Sequence, residues 1–327
     1  MRLLLLCVAV LGLRCAPKPA QLFVPDPDRD AGVVTADGGV TDAGTLDAGA
    51  VCQPFCSSWT NARALGTIVA PVVELSGLVA SRTQPGVLFA HNDSGDSARF
   101  FALSSTDGSL LQEFSVQGAT NRDWEDIAVG PCASGSCLFI GDIGDNNRVR
   151  TDYALYVLPE PTVVPGGPVV TVMAERLPWQ YPMGVKNNSE SLIVDPTSGR
   201  PYVITKAPGS FQVSTAYRFP MPLTPGTQAT LEEVATLPIP GPTDSQLTGA
   251  DVSPCGDAVL LRMYNRLVLM RTDGGSLESA FTGTPVAVPV AQEGQGEAVA
   301  FAADGRSYFT ASEAIAGAPP LFQSTCR

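Results

Sequence analysis

Residues 125–142 read EDIAVGPCASGSCLFIGD. A carboxylate opens a short apolar strand, a glycine-containing turn reverses it, and a second apolar strand follows. The pattern occurs five times. SGLVAS from Ser76, ESLIVD from Glu190, TGADVSP from Thr248 and EAVAFA from Glu297 start in the same way. Each runs through a turn with glycine into a second strand and then a third, such as RFFALSS (99–105), YALYVLP (153–159) and RLVLMRT (266–272). The anchors Ser76, Glu125, Glu190, Thr248 and Glu297 fall 49, 65, 58 and 49 residues apart. No long stretch carries a 3.6-residue apolar period, so the text is all-β.

Four antiparallel strands per unit, repeated radially, make a β-propeller. The first four units show a fourth strand, as in LLQEFSV (110–116) and VTVMAERL (170–177), and the last unit lacks one. ARALGTIVA (62–70) precedes the first unit as a spare strand and is expected to complete the last blade, leaving no isolated edge. The expectation is five four-stranded blades, with six as the alternative if the 65-residue unit hides another hairpin. A β-sandwich also has short alternating strands, but does not require one strand–turn–strand–strand order five times.

In a propeller the first strand of each blade lines the central channel, and its start marks one face, here called the top. Glu125, Glu190 and Glu297 hold matching positions and are expected to converge there, with Asp123 and Asp126 on the rim. The ends of the second strands add HNDSGD (91–96), GDIGDNN (141–147), Asn265 and Glu313. Converging carboxylates repel and are costly to desolvate, so they call for a cation. An oxygen-rich set suits Ca2+. The expected metal ligands are Glu125, Glu190, Glu297, Asp126, Asp142 and Asn92. The alternative is that these carboxylates accept hydrogen bonds from backbone amides of neighbouring blades, or pair with Arg122, Lys186, Lys206 and Arg266. Lys206, Lys186, Arg148 and His91 are the expected ligand-binding residues. GDIGDNN lacks the spacing and terminal Glu of an EF-hand loop. His91 is the sole histidine, so a Ser–His–Asp site depends on it alone, and a structural role is favoured. Trp124 and Trp179 are expected to pack in the channel or between blades.

The 327-residue chain opens with Arg2 and the apolar run Leu3–Leu13, too short to span a bilayer and read as an export signal over residues 1–15. Cys15 after that run is the expected lipid attachment point, although Arg14 stands where such sites carry a small residue. Simple secretion is the alternative. Residues 16–50 are rich in Asp, Ala, Gly and Pro, as expected of a disordered acidic tether. The propeller is expected over 51–327. A formal net charge of −12 excludes nucleic acid as a partner, because phosphate contacts need a basic face. It likewise leaves the expected lipid as the sole link to a membrane. In an exported chain, Cys52, Cys56, Cys132, Cys137, Cys255 and Cys326 are expected in disulfides. Strand direction puts all six on the bottom face. Cys132–Cys137 is the expected local pair, with Cys326 bonded to Cys52 or Cys56 and Cys255 to the other.

ELSGLVAS, DWEDIAVG, GDIGDN, ESLIVDPTSGRPYVITK and GQGEAVAFAADG together resemble a group of exported bacterial β-propeller proteins, mostly uncharacterised, over most of Val73–Cys326. More distantly, ESLIVDPTSGRPYVITK is similar to the blade motif of phytase-like and SMP-30-like propellers. That resemblance implies Ca2+ in or above the channel, held by Glu125, Glu190 and Glu297, and in some relatives hydrolysis of phosphate esters or lactones. Ser76 and Thr248 depart from the Glu pattern, and the lysine-rich phosphate site of phytases has no counterpart here.

The function expected is therefore an exported, surface-tethered, monomeric binding module for an extracellular ligand or protein, with a Ca2+-binding top face. The alternative is a Ca2+-dependent hydrolase of phosphate esters or lactones, with metal-activated water as nucleophile.

Overall fold

The computed structural model describes residues 56–207, 213–239, 246–314 and 317–327. Among them no helix is long and apolar enough to cross a membrane. The strands form five separate sheets, which are the five blades of a propeller. Blade 1 runs outward through Leu75–Ala80, Val87–Asn92, Arg99–Ser104 and Leu110–Gln117. Blade 2 comprises Trp124–Cys132, Gly135–Asp142, Ala154–Pro159 and Glu175–Gln180. Blade 3 comprises Ser189–Val194, Pro201–Thr205, Thr215–Arg218 and Glu232–Thr236. Blade 4 comprises Leu247–Val252, Ala258–Met263, Arg266–Arg271 and the short Val286–Ala287. Blade 5 has Gly296–Phe301, Ser307–Ser312 and Pro320–Thr325, and its outermost strand is Arg63–Thr67 from the start of the domain. The ring closes as the spare strand requires. The six-blade alternative is excluded.

Burial follows position in the blade. All six residues of Leu75–Ala80, Ser189–Val194, Leu247–Val252 and Gly296–Phe301 are buried, on both faces. Such strands read as runs of small and apolar residues, without alternation. The outer strand Leu110–Gln117 alternates, burying Gln112, Phe114 and Val116 while its ends are exposed. Five apolar clusters result, one in each gap between blades. Successive inner-strand residues serve opposite gaps. Leu78 packs toward blade 5 and Val79 toward blade 2, while Ile127 packs toward blade 1 and Ala128 toward blade 3. Trp124 lies in the gap between blades 1 and 2, and Trp179 in that between blades 2 and 3, so both are inter-blade packing.

VTVMAERL is not one strand. Val170–Met173 adds in parallel to the outer edge of blade 1, and after Ala174 the chain crosses to form Glu175–Gln180 of blade 2. Ala229–Thr230 likewise adds to blade 2 before Glu232–Thr236 completes blade 3. This crossing accounts for part of the long second unit.

Cys56–Cys326 ties the segment before the closing strand to the last strand of blade 5, and Cys132–Cys137 brackets the first turn of blade 2. Cys255 is also disulfide-bonded. Cys52, Cys15 and the signal and tether segments lie outside the described residues.

Candidate functional site

Each inner strand carries a β-bulge near its start. The register breaks at Leu75/Gly77, Trp124/Asp126, Ser189/Ser191, Leu247/Gly249 and Gly296/Ala298. The bulged residues are the five anchors Ser76, Glu125, Glu190, Thr248 and Glu297. A bulge leaves one residue out of the ladder and re-aims its side chain. In two blades that side chain is a hydroxyl spent between blades. Ser76 Oγ donates to the Glu125 carbonyl at 2.6 Å, and Thr248 Oγ1 to the Gly296 carbonyl at 2.8 Å. In the other three it is a carboxylate. Glu125, Glu190 and Glu297 are each about 5% exposed and interact electrostatically across the top of the channel.

The three carboxylates have different surroundings. Glu190 accepts from Lys206 Nζ at 2.5 Å and from Asn188 Nδ2 at 3.0 Å. Lys206 also donates to the Tyr264 hydroxyl at 2.8 Å. Burial works against the Lys206 charge, but Glu190 outweighs it and holds the ammonium protonated. Burial followed by the Glu190 charge pushes Glu297 up to about 9, with Lys206 opposing. Glu190 itself is pushed up to about 7 by burial, with Lys206 opposing. Glu125 is raised well above the ordinary range, first by burial and then by Glu190, Asp93 and Asp123.

Glu125 meets two more carboxylates. Asp93, Asp123 and Glu125 bring one oxygen each within 4.8 Å of one another. Asp93 follows the second strand of blade 1, and its carboxyl is pushed up to about 6, mainly by burial. Gly144 lies against two of the three. A Cβ there would lie 2.1 Å from Glu125 Oε1 and 2.5 Å from Asp123 Oδ2. Three oxygens thus converge, two of them against a glycine that leaves them room, a donor set suited to a hard cation. Neither Asp93 nor Asp123 stood in the expected metal set. The signal for them was a carboxylate at the end of a strand or loop, close in sequence to a glycine turn.

Several expected ligands have other work. Asp126 does not sit on the rim. Its Oδ1 accepts the Ile127 N–H at 2.9 Å, and its Oδ2 accepts those of Leu192 at 2.8 Å and Ala250 at 3.2 Å. One buried carboxyl group therefore joins the inner strands of blades 2, 3 and 4. Asp142 pairs with buried Arg150 at 2.7 Å and accepts the Asp123 N–H at 3.1 Å, so it positions Asp123 from behind. Asn92 Oδ1 accepts the N–H groups of Val73 and Glu74 at 3.0 and 3.2 Å, holding the entry loop of blade 1. His91 is fully buried and cannot meet a ligand at the surface. Its Nδ1 donates to the Asn92 carbonyl at 2.9 Å, its ring stands edge-on to Trp124, and burial pushes it down to about 4, so it is neutral. Lys186 lies over the Tyr153 ring at 6.0 Å. Arg148 adopts a left-handed backbone on the neighbouring loop, with φ of 56°. Of the four expected ligand-binding residues, the structure brings Lys206 into the acidic mouth.

No protein-family model matches the chain, and no curated protein matches it. Among solved structures, Kuenenia stuttgartiensis Hydrazine Synthase resembles it at a TM-score of 0.38 and 10% identity, over 72% of this chain and 67% of that one. A likeness of that size carries no argument, and the propeller assignment rests on the five sheets themselves.

Proposed function

We propose that this propeller is a binding module whose channel mouth takes a divalent, oxygen-seeking cation, Ca2+ in the first instance, at Asp93, Asp123 and Glu125. The observation that carries the reading is the convergence of those three carboxylates, two of which lie against Gly144. Buried carboxylates raised by desolvation and mutual repulsion are relieved when a cation joins them. Irregular ligands from loops and a bulge suit Ca2+ better than Mg2+, which demands near-octahedral geometry. The ion would present the top face to an extracellular ligand or protein. Export, a lipid at Cys15 and tethering through residues 16–50 belong to the same proposal and are supported by the sequence pattern alone. No specific observation favours hydrolysis at this mouth over binding.

Calorimetric titration of the chelator-stripped chain with CaCl2 tests the reading. Saturable heat is expected, with at least tenfold weaker binding for Glu125→Gln. No heat, together with no Ca2+ effect on melting, would refute it.

A further inference from the structure

The acidic mouth already contains one cation, and it is covalently attached. Lys206 is the positive charge felt by Asp93, Glu125, Glu190, Glu297 and Glu313 alike. Its ammonium is bonded to Glu190 and Tyr264. An ammonium has three donors, and these bonds use two. Glu297 is buried beside this pair and feels the charges of both Glu190 and Lys206. The bulged Glu190 thus aims an oxygen at a position that a protein group occupies, and Glu297 feels the charge of that group. The bulged Glu125 aims its oxygens at two further carboxylates instead.

From this asymmetry we propose that the Lys206 ammonium fills a second cation position, built by Glu190, Glu297 and the Tyr264 hydroxyl, and so fixes the ion count of the mouth at one. Two adjacent dications would repel strongly, and a tethered monocation neutralises one half at a lower electrostatic cost. Removing the ammonium should therefore open a second, calcium-class site rather than merely weaken the first. The inference rests on the cation reading of this mouth, and the test separates the two.

The experiment is calorimetry with CaCl2 alone on the chelator-stripped full chain and its variants, each checked for folding by circular dichroism. The wild type is expected to bind one ion and Lys206→Met two. Adding Glu190→Gln to Lys206→Met should return the count to one. Should Lys206→Met not fold without ion, Lys206→Gln, which keeps a donor toward Tyr264, carries the same test. An unchanged count of one in the lysine variants would overturn the inference while leaving the Asp93–Asp123–Glu125 site standing. No binding by the wild type, with one ion in Lys206→Met that Glu190→Gln abolishes, would uphold the second position and refute the first site. No binding in any variant would refute both.

Discussion

Glu125 and Asp126 are adjacent, both acidic and both buried, yet the fold uses them in opposite ways. Burial pushes both carboxyls up. At Asp126 three main-chain N–H groups from three blades pull the other way. Glu125, displaced by the bulge, faces other carboxylates, and the charge that opposes them is Lys206. A bulge of one residue is enough to separate the two, because it shifts the period-two alternation of a strand. Asp126 stabilises the ring as an acceptor shared between blades. Burial and neighbouring carboxylates work against an ionised Glu125, and that is the cost the proposed cation would relieve.

The largest expected effect lies on the Asp126 side. Asp126→Asn turns an amide NH2 toward either the Ile127 N–H or the pair from Leu192 and Ala250. Loss of about 2–4 kcal/mol is expected in denaturant unfolding, in line with leaving buried donors unmatched. Glu125→Gln should have the opposite sign. It removes a buried carboxylate that folding makes harder to ionise. Each tenfold tightening of its proton corresponds to about 1.4 kcal/mol against the charged form, so the ion-free protein should melt higher. Both variants shifting stability in the same direction would break the comparison.

Comparable in size is the closure. Cys56 and Cys326 are 270 residues apart, so their bond restricts nearly the whole domain. Replacing both with serine should cost about 2–4 kcal/mol of unfolding free energy, measured without reductant. A change near zero would mean that the pairing of Arg63–Thr67 with Pro320–Thr325 holds the ring unaided.

Gly144→Ala should act on the mouth more than on the fold. The added methyl would overlap the Glu125 and Asp123 oxygens, with a stability cost of about 1–3 kcal/mol and at least a tenfold loss of Ca2+ affinity. Full affinity in this variant would place the ion elsewhere.

The last effect is a slope with pH. The Glu297 carboxyl rises from an ordinary 4.5 to about 9 on folding. The folded chain therefore holds that proton more tightly than the unfolded one. The resulting stabilisation is complete below pH 4.5 and is lost as pH rises toward 9. Glu297→Gln should flatten that part of the melting profile of ion-free protein between about pH 5 and 9. An unchanged profile would show that Glu297 is not held against the other mouth carboxylates.

The repeat and ring closure were legible because small and apolar runs at matching offsets are what fully buried inner strands require. The three bulged Glu were legible as anchors of those runs. Asp126 was legible only through the alternative of carboxylates bonded to backbone amides of neighbouring blades; which carboxylate takes that role depends on the parity shift that the bulge introduces, and its partners Leu192 and Ala250 lie 66 and 124 residues away. Asn92 and Asp93 show the same limit at the end of a strand. Asn92 turns back to hold the entry loop, and the next residue faces the mouth. VTVMAERL reads as one strand because its halves run on without a break; the crossing between blades at Ala174 leaves no local mark.

The position of a cation in the mouth can be located directly. Crystals grown with terbium, a hard oxygen-seeking ion of calcium-like size, would locate it by anomalous scattering. A single strong peak among Asp93, Asp123, Glu125 and Gly144, with Lys206 still on Glu190, is the predicted result. No peak in the mouth, or one at Asp142 or Asn92 instead, would contradict the account.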